Sequence, residues 1–309
     1  MKSAILICNP TAGSPAPRLA ANVQEAVAIL RDAKIEATLA FTSGSGDGKN
    51  LARAAVNAGR ELIIVCGGDG TINEVINGMT PTQTPLAILP AGTANIVGKE
   101  LGLPTPVQKA AKELPYWVAC RIALGQATWG PPESPQQRYF LAVAGIGFDA
   151  HVISRLDVAS KLRLGVVAYG WEALRQVFRY DFPCFQCTVK DAIVSPTFAV
   201  VQRSLRYAGW LRLARAAGLK QPQLACCFFN SRWRARYLLY AVAVLTRTHH
   251  RLRDVRLLQG DPVICTKIGA GTSVPFELDG ELAGSIPVTF EVVPDALTIL
   301  APRHFVNPA

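Results

Sequence analysis

Residues 62–78 read LIIVCGGDGTINEVING. An apolar run, Leu62 to Cys66, stops at Gly67-Gly68-Asp69-Gly70-Thr71, and a helical pattern begins after the glycines. A buried strand that breaks into glycines and then into a helix is one step of a parallel α/β domain. Such loops lie at the carboxyl ends of strands, where this class of fold binds its ligands.

The flanking sequence repeats the pattern. SAILICN (3–9) is a short strand, TAGSPAP a turn, and 18–35 carries Leu19, Val23, Val27 and Leu30 at helical spacing. IEATLAF (35–41) is the next strand, SGSGDGK a turn, LARAAVNAG a helix, and PLAILPAG (85–92) a strand followed by a turn. After about residue 125 the pattern changes. GPPESPQQR is an exposed turn, YFLAVAGIGFDA (139–150) starts as a strand, and a basic helical section spans roughly 155–180. Short strands follow: FQCTVKD, PTFAVVQRS, LACCFFN, DPVICTKIG, PFELDGE and IPVTFEVVP. The expected fold is an α/β nucleotide-binding domain with a parallel sheet (1–125) and a β-rich, sandwich-like domain with a helical insertion (126–290). A final segment, 291–309, returns to the first domain.

Composition narrows the partners. The 309 residues are 50% hydrophobic and 17% charged, which excludes a disordered chain. A formal charge of +10 favours phosphorylated ligands or an anionic membrane surface. No helix-turn-helix, zinc-finger spacing or aromatic RNA-binding motif is present, so nucleic acid is not expected. MKSAILICNP reads as a first strand and not a signal peptide, and no run reaches the length of a transmembrane segment. YLLYAVAVLT (237–246) is long enough for a core or interfacial helix only. The eight cysteines fit free thiols of a cytoplasmic core, and the Cys184/Cys187 CxxC reads as a strand carrying two thiols.

Glycine lets a ligand approach the backbone closely, and a glycine loop beside a helix N-terminus can direct several N–H groups at phosphate oxygens. Gly67 to Gly70 have this character, with the Thr71 hydroxyl beside them. Asp69 is the odd member: it serves a metal or a hydroxyl substrate, or it caps the helix in a tight structural turn. GxxxxGK[ST] and GxGxxG are both absent, so neither a P-loop nor a dinucleotide fingerprint is present. Asp279 and Glu281 in PFELDGELAG stand two apart around a glycine. They are either a carboxylate pair on one strand face or an ordinary Asp-Gly hairpin turn.

NPTAG (9–13), GGDGTINEVING (67–78), PAGTAN (90–95), GIGFDA (145–150) and DGE (279–281) occur in this order. Together they resemble the diacylglycerol kinase catalytic-domain family, which includes bacterial lipid kinases and sphingosine kinases, over nearly the whole chain. The leading NPTAG and the PAGTAN followed by ELGLP separate this from the NAD kinases, which share GGDGT. The resemblance implies an NAD kinase/diacylglycerol kinase-like fold and ATP with Mg²⁺ as cofactors. It implies a nucleotide site formed by Asn9, Pro10, Thr11, Gly13, Thr42, Gly67, Gly68, Asp69, Gly70, Thr71, Glu74, Gly92 and Thr93. Glu281 would accept the proton of a lipid hydroxyl, Asp279 would assist, Asp69 would lie near the transferred phosphate, and Asp149 would order a turn.

Two departures stand out. The family's Asn-Asp appears here as Asn95-Ile96, and its acidic DDGLL-like segment, which supports a structural magnesium, is replaced. Gln221 stands at the metal-binding aspartate, Pro222 at the glycine and Lys220 at another acid. Mg²⁺ prefers anionic oxygens. That metal is therefore expected to be lost or replaced by an internal interaction, with Lys220 as the candidate cation.

Arg155, Lys161, Arg163, Arg175 and Arg179, with a second cluster of Arg232, Arg234, Arg236, Arg247, Arg251, Arg253 and Arg256, lie near Trp171, Trp233, Tyr237 and Tyr240. This combination suits a surface that settles on anionic lipid at the inner face of a membrane. The reading is a cytoplasmic, ATP-dependent lipid kinase, with a catalytically silent relative or an NAD kinase-like enzyme as alternatives. The sequence leaves the lipid and the oligomeric state open, a homodimer included.

Overall fold

The computed structural model describes residues 2–13, 16–156, 166–269 and 273–307. In it the run at 62–67 is strand β3 (Leu62–Gly67), buried along its whole length. β3 lies among β1 (Lys2–Cys8), β2 (Ile35–Phe41) and β4 (Leu86–Pro90) in a parallel array of order β2-β1-β3-β4. Strands buried on both faces read as unbroken apolar runs, which is why LIIVC and LAIL show no alternation. The strand order reverses between β1 and β3, so the loops after these strands open at a topological switch point.

Helices α1 (Ala16–Asp32), α2 (Asp47–Asn57) and α3 (Asp69–Met79) connect these strands, and α4 (Ile96–Glu100) and α5 (Val107–Glu113) follow β4. α1 buries Leu19, Val23, Ala26 and Leu30, a stripe of helical period. α2 and α3 approach closely because small residues face each other. A Cβ on Gly78 would stand 2.1 Å from the Lys49 carbonyl oxygen, and one on Gly48 would stand 2.8 Å from Glu74 Oε2.

The chain divides into two compact units, the first comprising residues 1–123 and 294–309 and the second residues 124–293. β5 (Val118–Trp129) leads out of the first unit and β16 (Val288–Ala301) leads back, where Ile299 pairs in parallel with Leu86 of β4. The second unit is a β-sandwich. One antiparallel sheet has the order β12-β11-β10-β7-β14-β15, built from β12 (Val255–Gly260), β11 (Leu224–Phe229), β10 (Phe198–Gln202), β7 (Val143–Gly147), β14 (Pro275–Leu278) and β15 (Glu281–Ser285). The other holds β8 (Phe185–Val189), β9 (Ala192–Val194), β13 (Val263–Lys267) and the start of β16, with β5 and β6 (Gln136–Phe140) beside it. Phe290 joins the two faces, meeting Phe140 at 6.0 Å and Phe276 at 5.9 Å, both edge-on.

The helical section begins earlier than the sequence indicates. α6 (Phe148–Arg155) starts within GIGFDA, and α7 (Val166–Val177) follows. Lys161 and Arg163 lie outside the described residues. α8 (Arg234–Leu245) is half core and half surface: Tyr237, Tyr240, Ala243 and Val244 are buried, and Leu238, Leu239, Val242 and Leu245 are exposed. Among the described residues no helix is long and apolar enough to cross a membrane. All eight cysteines are free thiols, and Cys187 faces Cys265 on the neighbouring strand, not Cys184.

Gly78→Ala tests the helix contact. Alanine ordinarily favours a helix over glycine, yet here its methyl meets backbone that cannot turn aside. The expected result is a loss of about 1–3 kcal/mol in urea unfolding, the usual cost of overpacking.

Candidate active site

Four loops leave the carboxyl ends of β1 to β4, and the first unit ties each to a neighbour. Asn9, directly after β1, donates from Nδ2 to Thr71 Oγ1 at 3.2 Å, and its Oδ1 accepts from the Thr11 amide and hydroxyl at 3.0 and 2.8 Å. The Ala91 amide donates to the Gly67 carbonyl at 3.0 Å. A Cβ on Gly92 would come within 2.4 Å of Gly68 Cα, and one on Gly13 within 2.2 Å of the Ala91 carbonyl oxygen. Gly13 also has φ of +60°, in the left-handed region. Glycine is required at both positions by the approach of backbone to backbone.

The carboxylates of this region serve the loops. Asp69 is half-buried and accepts from the Ile96 and Val97 amides at 3.1 Å each, so it caps α4, the helix after PAGTAN, and not its own α3. Burial raises its pKa, and the two amides act against that rise. Glu74 accepts from the Gly46 and Gly48 amides at 2.8 and 3.0 Å and so fixes the loop after β2 at the start of α2. Asp47 closes the same loop on Ser43, which holds its carboxyl below the usual range. Asn95, in the left-handed region at φ of 48°, exchanges hydrogen bonds with the Gly92 backbone.

Thr71 and Thr42 lie beneath the loops, each about 8% exposed, whereas Thr11 and Thr93 stand exposed on the crests and Pro10 and Gly70 are half-buried. The N-cap of α3 is Gly68, which has no side chain to close the amides that follow it. Uncapped amides at a helix N-terminus beside close-packed glycines fit the phosphates of a nucleotide.

In the second unit, Asp279-Gly280 is a two-residue turn between β14 and β15, with φ of 50° and 86°. The hairpin is real and its aspartate is not idle. Asp279 accepts from the Leu141, Ala142 and Val143 amides at 2.8, 2.8 and 2.9 Å. Glu281 pairs with Arg138 at 2.5 Å, both side chains partly exposed. Asp279 and Glu281 therefore have different partners, both drawn from the segment 138–143. Beneath the turn Glu277 is buried and accepts from the Gly280 amide at 2.6 Å. Asp149, also buried, accepts from the hydroxyls of Tyr169 and Tyr207. A Cβ on Gly145 would meet Asp149 Oδ2 at 2.5 Å and Glu277 Oε1 at 2.7 Å, so both carboxylates close on one point. Burial, then the neighbouring Asp149, pushes Glu277 well above the usual carboxylate range, and burial also raises Asp149.

The sequence reading missed Arg138, Glu277, Tyr169 and Tyr207 as parts of this region: Arg138 reaches Glu281 from β6, and Tyr169 and Tyr207 reach Asp149 from α7 and from the segment after β10. It left 237–246 open between core and interface, and Tyr237 and Tyr240 turn to the core. Tyr237 stacks on Phe182 at 3.8 Å and meets the Thr197 hydroxyl, and Tyr240 donates to Asp254. Arg236 likewise turns to Asp254 through two bonds of 2.7 and 2.8 Å.

Among the described residues no group of three or more His, Cys, Asp or Glu side chains could hold a metal ion. The segment 219–223 contains no carboxylate and turns the carbonyls of Leu219, Gln221 and Gln223 onto the Arg203 guanidinium. A structural magnesium does not fit this donor set.

Two family models match the chain, one on each side of the break near residue 124. The diacylglycerol kinase catalytic domain matches residues 3–126, and the YegS C-terminal NAD kinase beta sandwich-like domain matches residues 142–301. The chain belongs to the diacylglycerol kinase catalytic-domain family. Its relatives in the family include a diacylglycerol kinase of Bacillus subtilis, 28% identical over 98% of both chains, and one of Mycobacterium tuberculosis, 27% identical over 96% of this chain and 94% of the other. The fold matches the crystal structure of a putative diacylglycerol kinase from Bacillus anthracis, with a TM-score of 0.78 at 21% identity, covering 99% of this chain and 96% of that one.

The buried carboxylates give a pH test. A carboxyl whose pKa is raised on folding holds its proton in the native state after the unfolded chain has lost it. Stability from this group is thus complete below the unfolded pKa near 4.5 and falls as pH rises above it. Glu277→Gln mimics the protonated form. It should match the parent at pH 4 in urea unfolding and be the more stable of the two at pH 8.

Proposed function

We propose that this chain is an ATP-dependent lipid kinase that phosphorylates the hydroxyl of diacylglycerol or a related lipid alcohol. The observation that carries the reading is the pairing, in one family member, of close-packed glycine loops with an Asp-Gly-Glu turn whose glutamate is partly exposed and held by Arg138. The diacylglycerol kinases among its relatives, matched over nearly their full length, point to the same substrate class. ATP, with Mg²⁺ on its phosphates, supplies the transferable phosphoryl group.

The chain's own residues bind, orient and take up a proton. Amides at the start of α3, after Gly68, receive phosphate oxygens, Gly13 and Gly92 leave room for their approach, and the exposed Thr11 and Thr93 add hydroxyls. Asp69 and Glu74 hold these loops in place through the amides they accept from. Glu281 accepts the proton of the lipid hydroxyl at its carboxylate, with Arg138 fixing its direction. Asp279, committed to three amides, fixes the turn that presents Glu281.

A membrane surface supplies the substrate. Trp171, Leu174 and Phe178 on and after α7, and Trp233, Leu238, Leu239, Val242 and Leu245 on and before α8, are all exposed. The two helices pack on each other, and Arg175, Arg179, Arg232 and Arg234 border these side chains. Apolar side chains ringed by arginine suit an anionic bilayer.

A catalytically silent relative is the second reading, favoured by the missing acids at 220–222. Transfer of labelled γ-phosphate to diacylglycerol, monoacylglycerol, sphingosine, ceramide, phosphatidylglycerol and NAD separates the readings. A lipid product that falls about 100-fold or more in Glu281→Ala is expected. Product with NAD alone would overturn the lipid assignment, and nucleotide binding without any product would establish the silent relative. The chain should also sediment with phosphatidylglycerol vesicles and not with phosphatidylcholine vesicles. A W171A/W233A double variant should lose about tenfold or more of that binding.

A further inference from the structure

Arg203 is wholly buried and follows β10, where its amide donates to the Ala142 carbonyl at 2.8 Å. It opens the long excursion 203–223 that joins the neighbouring antiparallel strands β10 and β11. Most of this excursion has no ladder to satisfy its backbone; only Tyr207 and Leu211 bridge each other. At its far end three carbonyls turn inward. Arg203 Nη1 donates to Gln221 O at 2.7 Å and to Gln223 O at 3.1 Å, and Nη2 donates to Leu219 O at 3.1 Å.

Carbonyl oxygens gathered on one point repel one another unless a cation stands there, which is how backbone binds metal ions. Here the cation is covalent. Burial lowers the Arg203 pKa to about 10, the nearby Asp261 acting against that fall, so the guanidinium stays charged at neutral pH. Lys220, the cation expected from sequence, is exposed on the outside of the same segment.

We propose that Arg203 is the built-in cation of this chain: it closes the 203–223 excursion in place of a structural divalent ion and makes the loop indifferent to metal. The closed loop carries Tyr207, whose hydroxyl donates to the buried Asp149 at 2.9 Å, so one guanidinium supports a contact beside the Asp279-Gly280 turn. The inference concerns the loop and does not depend on which substrate the protein uses.

The test is limited trypsin digestion of the full chain, with EDTA or with millimolar Mg²⁺, scored by mass spectrometry after Arg212, Arg215 and Lys220, all exposed in the loop. In the parent, cleavage at these sites should be the same under both conditions. Arg203→Met should be cut about tenfold or more faster, again without response to Mg²⁺, since charged hydrogen bonds are lost. Arg203→Lys, which keeps the charge with fewer donors, should fall between the two. Faster cleavage of the parent in EDTA, reversed by Mg²⁺, would overturn the proposal, and this arm holds even if Arg203→Met does not fold. Cleavage of Arg203→Lys and Arg203→Met at the parent rate would overturn it as well.

Discussion

The first unit depends on how closely two glycine backbones approach. Gly68 and Gly92, at the ends of adjacent parallel strands, leave no room for a Cβ between them. Everything nearby keeps that contact. The Gly67 carbonyl takes the Ala91 amide, Asp69 reaches across to the first amides of α4, and Asn95 folds back on Gly92. A loop made of glycine has little internal reason to hold one shape, because glycine loses the most freedom on ordering. Carboxylates and amides at the margins supply the order, and the glycines themselves remain bare.

The second unit holds a carboxylate in a fixed place without burying it. Its turn is anchored twice, by three amides on Asp279 and by the Gly280 amide on Glu277. Glu281 therefore leaves a rigid hairpin and needs only Arg138 to define its direction. Position comes from backbone, and charge is kept at the surface.

The sequence made the strand-loop-helix order legible wherever one short window held the signal. LIIVC read as a buried strand because parallel strands covered on both faces carry no alternation, and GGDGT marked its end. The motifs together also indicated the family. What stayed hidden were partners far apart in the chain. Asp69 looked like a cap for its own helix or a partner of a metal or hydroxyl substrate, and only the sheet brings Ile96 and Val97 to it. Arg138 and Glu281 are one ion pair across a long interval of sequence. The same limit explains Lys220, chosen because it stands in the altered segment, whereas the charge comes from Arg203 on the far side of the loop. Nearness to arginines in sequence was no guide at Tyr237 and Tyr240 either, whose polar tips found Thr197 and Asp254 inside.

One feature of the chain path bears on how the protein is made. Residues 294–301 lie in the first unit but follow the whole of the second in the chain. Synthesis therefore finishes the β-sandwich before β4 receives its parallel neighbour at Ile299. Until then β4 presents an open strand edge, the kind of edge that recruits other chains. A chain cut after residue 293 would hold every residue of the second unit together with a first unit lacking its last strand, and its liability would be the open edge of β4.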